Sequence, residues 1–322
     1  MRPTVPAAAL CLVLATAACG SSDGSPRSGP SSSAPPEAAI AVTAAFYPLE
    51  WASQRVGGDL VDVTGLTKPG GEPHDLELTP KAVAELASSD VVVYLKTFQP
   101  AVDDAVATQA RAASFDVSTD ADLTITATED SHDHEGEGEE HSEEEPAKGA
   151  TDPHFWLDPL RLAQVGTALG ERFASADPAH AQTYRENATA LASDLQALHA
   201  DFEKGLSSCA NKELVTGHSA FAYLAARYGL SQEGIAGVSP DAEPDAATIR
   251  EIVEHVKEHD VSTVYSETLV SPALAETIAR ESGAQVAVLD PIEGLTDSSA
   301  GEDYLEVMRS NLEALTKGQE CS

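Results

Sequence analysis

Basic residues are scarce in this chain: 19 Lys and Arg stand against 53 Asp and Glu, for a formal charge of −34 over 322 residues. A phosphate backbone would be repelled rather than neutralised, which excludes nucleic acid as a partner. Cysteines number only four. The one sustained apolar run, from Ala7 to Ala18, falls short of the roughly 20 residues that a membrane-spanning helix needs. The chain also lacks a His-Glu-x-x-His helix, an obvious nucleophile and any fixed-period repeat. What it has is 42% hydrophobic residues, enough to fill two cores at about 150 residues per domain. Its acidity is concentrated, since residues 129–145 carry ten Asp and Glu and no Lys or Arg.

The N-terminus reads as a targeting segment. Arg2 is its only charge, and the apolar stretch ends in Thr16-Ala17-Ala18-Cys19, the small residues a signal peptidase prefers. Residues 1–18 are therefore expected to be a signal peptide. Residues 19–38, rich in Ser, Gly and Pro, read as a flexible tether. Cys19 at its head resembles a bacterial lipobox cysteine, although Thr16 stands where Leu is usual. The resemblance implies a mature protein outside the cytoplasm, anchored by lipid on Cys19. Cys11 is lost with the leader, which leaves Cys209 and Cys321. In an exported chain these favour a disulfide, which would close a loop of about 110 residues and add at most roughly 4 to 5 kcal/mol.

Past the tether, residues 39–46, 61–65 and 90–95 are short apolar or β-branched runs bounded by turn residues, as buried strands are. Thr79-Pro80 and Asp158-Pro159 each supply an N-cap followed by an N1 proline, and so open helices. Strands alternating with helices predict βαβ units and a parallel sheet. Asp177-Pro178 begins the longest helix, in which Tyr184, Ala188, Leu191, Leu195, Leu198, Phe202 and Leu206 recur at steps of three and four. About 29 residues span roughly 43 Å, so the stripe serves either a coiled-coil partner or a spine joining two domains. Alternation resumes afterwards, with strands at 213–216, 261–266 and 285–289 and helices at 219–228, 246–259 and 273–282, which favours the spine. The expected fold is α/β: an N-terminal lobe over 39–176, a linking helix over 177–207 and a C-terminal lobe over 208–322. The N-terminal lobe contains a His-rich acidic loop at 128–150.

Four candidate metal ligands occupy matching places on this outline. His74 lies after a strand, His154 at the entrance to the Asp158-Pro159 helix, and His218 and Asp290 just past strand ends. Open α/β sheets bind ligands outside the carboxyl ends of their strands, so two facing sheets would bring the four groups to one interlobe cleft. Three imidazoles and one carboxylate suit tetrahedral Zn2+ better than Mn2+, which prefers more oxygen ligands and a higher coordination number. Each residue has a plainer alternative: His218 beside Gly217 as a helix cap, and Asp290 before Pro291 as a turn former.

Four motifs, at 71–80 (GEPHDLELTP), 152–159 (DPHFWLDP), 217–230 (GHSAFAYLAARYGL) and 266–272 (SETLVSP), resemble those of cluster A-I solute-binding proteins, the zinc and manganese receptors of ABC importers. The similarity runs in order over residues 39–317. It implies two βα lobes joined by a rigid helix, with His74, His154 and His218 as ligands and Asp290 as the fourth. Glu72 and Glu267 are then alternates, or groups that orient the imidazoles. The implied partners are Zn2+, an ABC permease and the membrane, with the chain itself a monomer.

The tract carrying His132, His134 and His141 resembles the insertion of the family's zinc members. Some 20 flexible residues reach roughly 25 Å, far enough to capture Zn2+ at the cleft mouth. A solvated linker is the plainer reading. His180, His199, His255 and His259 read as surface residues. The rival functions are a zinc hydrolase, with Glu267 as its base, and an adhesin or manganese receptor of the same fold.

Overall fold

The computed structural model describes residues 40–126, 151–242 and 244–322. Cys19, the leader and tether, and the tract with His132, His134 and His141 lie outside these residues. Strand and helix alternate along the chain, so successive strands return through helices and pair in parallel. In the first lobe, β1 (Ile40–Ala44), β2 (Val61–Gly65), β3 (Val91–Tyr94) and β4 (Ser114–Asp116) form a sheet of order β2-β1-β3-β4. Val42 pairs with Val63 on one side and with Val91 on the other. The crossovers are α1 (Tyr47–Gly57), α2 (Pro80–Ser88) and α3 (Pro100–Ala105).

The second lobe repeats this plan. Its strands β5 (Glu213–His218), β6 (Ser231–Ala236), β7 (Thr263–Ser266) and β8 (Gln285–Val288) lie in the order β6-β5-β7-β8, all parallel. Here α6 (Ala222–Tyr228), α7 (Ala246–Glu258) and α8 (Ala273–Ser282) are the crossovers, and α9 (Tyr304–Gly318) follows the last strand. In each sheet the chain leaves the first strand to one side and later crosses to the other. That opens a crevice at the carboxyl ends of the strands.

Along the chain, α4 (Pro159–Ala176) and then α5 (Ala181–Gly205) come between the two sheets. The helix α5 has 25 residues, a length of about 37 Å. It is shorter than expected because Asp177-Pro178 opens a separate turn of 3-10 helix, Pro178–His180, before it. Its stripe of Tyr184, Ala188, Leu191, Leu195, Leu198 and Phe202 is buried as predicted. It packs on α1 and α4 of the first lobe and on α9 of the second, and so joins the two. Gly170 and Gly166 let α4 come close: a Cβ at Gly170 would lie 2.7 Å from that of Ala188.

The main hydrophobic core extends into both lobes, from Ile40 and Trp51 through Trp156 and Phe202 to Tyr304 and Leu315, and a second, separate core of Val215, Ile252, Val264 and Ile278 lies within the second lobe. Direct bonds reinforce it. The Trp156 indole N–H donates to Pro291 O at 2.8 Å, and the Tyr304 hydroxyl donates to Trp156 O at 2.5 Å. Arg227 on α6 donates twice to the buried Asp158 carboxylate, at 2.9 and 2.6 Å, while Asp158 also caps α4. A disulfide joins Cys209, just before β5, to Cys321, just after α9. Among the described residues no helix is long and apolar enough to cross a membrane.

Candidate metal centre

Two of the three site histidines sit in the same local device, an acidic residue followed by Pro and His. In Asp152-Pro153-His154 the carboxylate accepts the His154 backbone N–H at 2.8 Å and faces His154 Nδ1 at 2.8 Å. In Glu72-Pro73-His74 the longer side chain accepts the His74 backbone N–H at 3.0 Å. Proline holds φ near −65° and brings no competing N–H, so the turn folds the acid back over its own histidine. His218 closes β5, where Glu267, just past β7, accepts its backbone N–H at 2.7 Å and faces its Nδ1 at 2.6 Å. A Cβ at position 217 would come within 2.5 Å of Glu267 Oε1. Gly217 is therefore what lets this carboxylate approach.

An ionised carboxylate only accepts hydrogen bonds, so Asp152 and Glu267 place the protons of His154 and His218 on Nδ1 and leave each Nε2 lone pair free. Those Nε2 atoms meet. His154 Nε2 lies 3.3 Å from His74 Nε2 and 3.4 Å from His218 Nε2. The fourth member is Glu293: its Oε1 stands 3.0 Å from His74 Nε2, 3.1 Å from His154 Nε2 and 3.4 Å from His218 Nε2. The four atoms are mutually within 4.8 Å, and His154, His218 and Glu293 are fully enclosed. Ligand atoms around a tetrahedral ion with bonds of about 2.0 to 2.1 Å would be about 3.3 to 3.4 Å apart. Three of the observed spacings, 3.3 to 3.4 Å, match that figure, and Glu293 Oε1 stands slightly closer, 3.0 and 3.1 Å, to His74 and His154.

Asp290, the carboxylate expected here, is not in the cluster. It forms the turn that was its plainer alternative. Its Oδ1 accepts the Ile292 N–H at 2.8 Å, its Oδ2 accepts from Ser299 at 3.2 Å, and its backbone exchanges two bonds with Asn311 on α9. The turn carries Ile292 into left-handed conformation, φ 57°, which is costly for a β-branched residue. Glu293 is thereby aimed into the cleft. Glu72 and Glu267 do not complete the four either: Glu267 is engaged with His218, and Glu72 Oε1 stands 4.0 Å from His74 Nε2.

Electrostatics follow from burial. At His218 burial disfavours the cation, but the charges of Glu267 and Glu293 outweigh it and hold the imidazole well above its usual pKa. His154 is raised in the same way, against burial, by Asp152 and Glu293. His74, buried without such a close carboxylate pair, is lowered. Glu293 is lowered well below the carboxylate range because the imidazoles overcome its burial. Glu72 goes the other way, pushed up to about 8 by burial and by the charge of Glu293. The pocket thus concentrates negative charge around three imidazoles, an environment that protons on the rings satisfy in the metal-free protein and that a dication replacing them satisfies in turn.

Residues 42–318 match the family described as zinc-uptake complex component A, periplasmic. The chain belongs to this family. It is 36% identical over 280 residues to the zinc-binding lipoprotein AdcA of Streptococcus pneumoniae, which covers 85% of this chain and 54% of that protein. The chain thus spans about half the length of that relative. It is 33% identical over 322 residues to the high-affinity zinc uptake system protein ZnuA of Bacillus subtilis, covering 95% and 94%. Among solved structures, the Zn(II)-bound ZnuA-like domain of Streptococcus pneumoniae AdcA superposes with a TM-score of 0.71 at 33% identity, covering 87% of this chain and 99% of that one. The laminin-binding protein Lmb of Streptococcus agalactiae, described as having adhesin and metal-transporting activity, gives 0.74 at 30% identity, covering 87% and 99%.

Proposed function

We propose that this protein is an extracytoplasmic receptor that takes up Zn2+ as cargo in the interlobe cleft and delivers it to the permease of an ABC importer. The ligands are His74, His154 and His218 through Nε2 and Glu293 through Oε1. The observation that carries the proposal is the 3.0 to 3.4 Å spacing of these atoms. Three nitrogens and one oxygen in a tetrahedral set favour Zn2+ over Mn2+. Four protein ligands also close the site, leaving no open position for an activated water, and the one candidate base, Glu267, is bound to His218. The protein is therefore a binding module rather than a hydrolase.

Cys19 would carry the lipid that holds the monomer at the membrane. His132, His134 and His141 would gather Zn2+ near the cleft. Deleting residues 129–148 tests that role, since an unchanged Zn2+ on-rate would remove it. For the main reading, metal analysis of the purified protein and competition between Zn2+ and Mn2+ are decisive. The expected result is one tightly held Zn2+ per chain, lost in His218→Ala and in Glu293→Ala. A preference for Mn2+, or Zn2+ binding within threefold of wild type in His218→Ala, would overturn it.

A further inference from the structure

A second group of imidazoles lies at the other end of β5. His255 and His259 are four residues apart at the C-terminal end of α7 and so project from one face. Their ring centroids are 4.3 Å apart. His255 Nε2 is buried without a hydrogen-bond partner, and Glu213 Oε2 faces it at 3.6 Å. That separation is too long for a hydrogen bond but close to the spacing of two ligands on one ion. Burial and the neighbouring His259 lower the His255 pKa, which keeps the ring neutral and its lone pair available at neutral pH. His259 is exposed, and its ring would have to turn toward the same point to share an ion. Glu213 is fixed at the start of β5, where its backbone N–H donates to Asn211 Oδ1 at 2.8 Å and its carbonyl accepts from Gln319 at 2.9 Å. Beside His255 is a depression lined by Glu233, Glu251, Glu254 and Glu258, side chains that draw cations toward it.

We propose that Glu213, His255 and His259 form a second, solvent-facing site for a borderline divalent transition cation such as Zn2+, with water completing the coordination. Two imidazoles and a carboxylate are the ligand types Zn2+ selects, and hard Mn2+ gains little from them. Glu213 and His218 are five residues apart along β5, about 17 Å, so the two sites fill independently. With only three protein ligands, one of which must first be ordered, this site binds far more weakly than the enclosed cleft.

The test uses the full-length protein already holding one equivalent of Zn2+, so that only later binding is read. Imidazole 15N resonances resolve individual rings, which separates this site from His132, His134 and His141. Further Zn2+ is expected to shift the His255 and His259 resonances together, saturably, while Mn2+ at the same concentration leaves them in place. His259→Gln should weaken the His255 response at least about tenfold, with first-site Zn2+ affinity within about twofold of wild type. Two rings that stay unshifted while other histidines respond, or His259 responding alone, would overturn the proposal. Because the wild-type spectra already decide the matter, a variant that folds poorly does not leave it open.

Discussion

The Asp290 carboxylate accepts the backbone N–H of Ile292 at 2.8 Å, and the turn so formed holds Ile292 at φ 57° and points Glu293 into the cleft. Asp290 thus positions the fourth ligand without being one. Asp290→Asn keeps an acceptor oxygen for Ile292, whereas Asp290→Ala removes it. Zn2+ affinity, measured by competition with a chromophoric chelator, is expected to stay within about threefold in Asp290→Asn. It should fall roughly 10- to 100-fold in Asp290→Ala, the range usual for groups that orient a ligand. Equal losses in the two variants would mean that the Asp290 charge itself acts on the ion.

Glu267 makes both of its bonds to His218, one to the backbone and one to Nδ1. Glu267→Gln keeps an acceptor for one of the two N–H groups, turns an NH2 toward the other, and removes the charge that makes the imidazole basic. A loss of about 10- to 100-fold in Zn2+ affinity is expected, with the melting temperature of the metal-free protein much less changed. Unaltered affinity would show that the bond orients the ring and that its charge contributes nothing.

In the metal-free protein His154 and His218 have raised pKa values, so protons compete with Zn2+. Zn2+ affinity should therefore begin to fall well above pH 6.5, the value for free imidazole, and binding should release protons at neutral pH. Calorimetry in buffers of differing ionisation enthalpy counts them. The sign for stability is the reverse. A raised imidazole pKa stabilises the metal-free fold fully below about pH 6.5 and loses that contribution as pH rises through the folded value. Stabilisation by Zn2+, read as a melting shift, should then grow from pH 6 toward pH 8. A flat profile would contradict the assignment.

Arg227 crosses between the lobes to Asp158, which is nearly fully buried. Arg227→Ala strands a buried carboxylate, with Arg161 Nε still 3.4 Å away as partial compensation. The expected cost is about 2 kcal/mol, below the 3 to 5 kcal/mol of an uncompensated pair, measured by urea denaturation of the metal-free protein. No change in the midpoint would show the pair to be neutral.

Cys209 and Cys321 enclose a loop with a sequence separation of 112. Replacing both with Ser should lower stability by up to about 4 to 5 kcal/mol while leaving Zn2+ stoichiometry at the cleft unchanged, since neither cysteine touches the cluster.

Much of the architecture was legible because it is written in local signals. Thr79-Pro80 and Asp158-Pro159 start α2 and α4 where the capping rule placed them, each with its side chain accepting a backbone N–H in the first turn. The stripe on α5 was read from spacing alone. The strands β4, Ser-Phe-Asp, and β6, Ser-Gln-Glu-Gly-Ile-Ala, went unread because they are short or polar and exist only through pairing with β3 and β5. Asp152 was in view within its motif, and the repeated acid-Pro-His device is the signal that would have identified its role.

The sequence by itself determined the alternation of strands and helices, the joining helix and three histidines placed past a strand or at a helix entrance, because capping and hydrophobic periodicity act between near neighbours. Only the tertiary structure decided between Asp290 and Glu293, three residues apart on one loop. That choice depends on the left-handed Ile292 held by Asp290, on Asn311 of α9 anchoring the Asp290 backbone, and on Trp156 of the other lobe gripping Pro291. Contacts so distant along the chain leave no periodic trace in it.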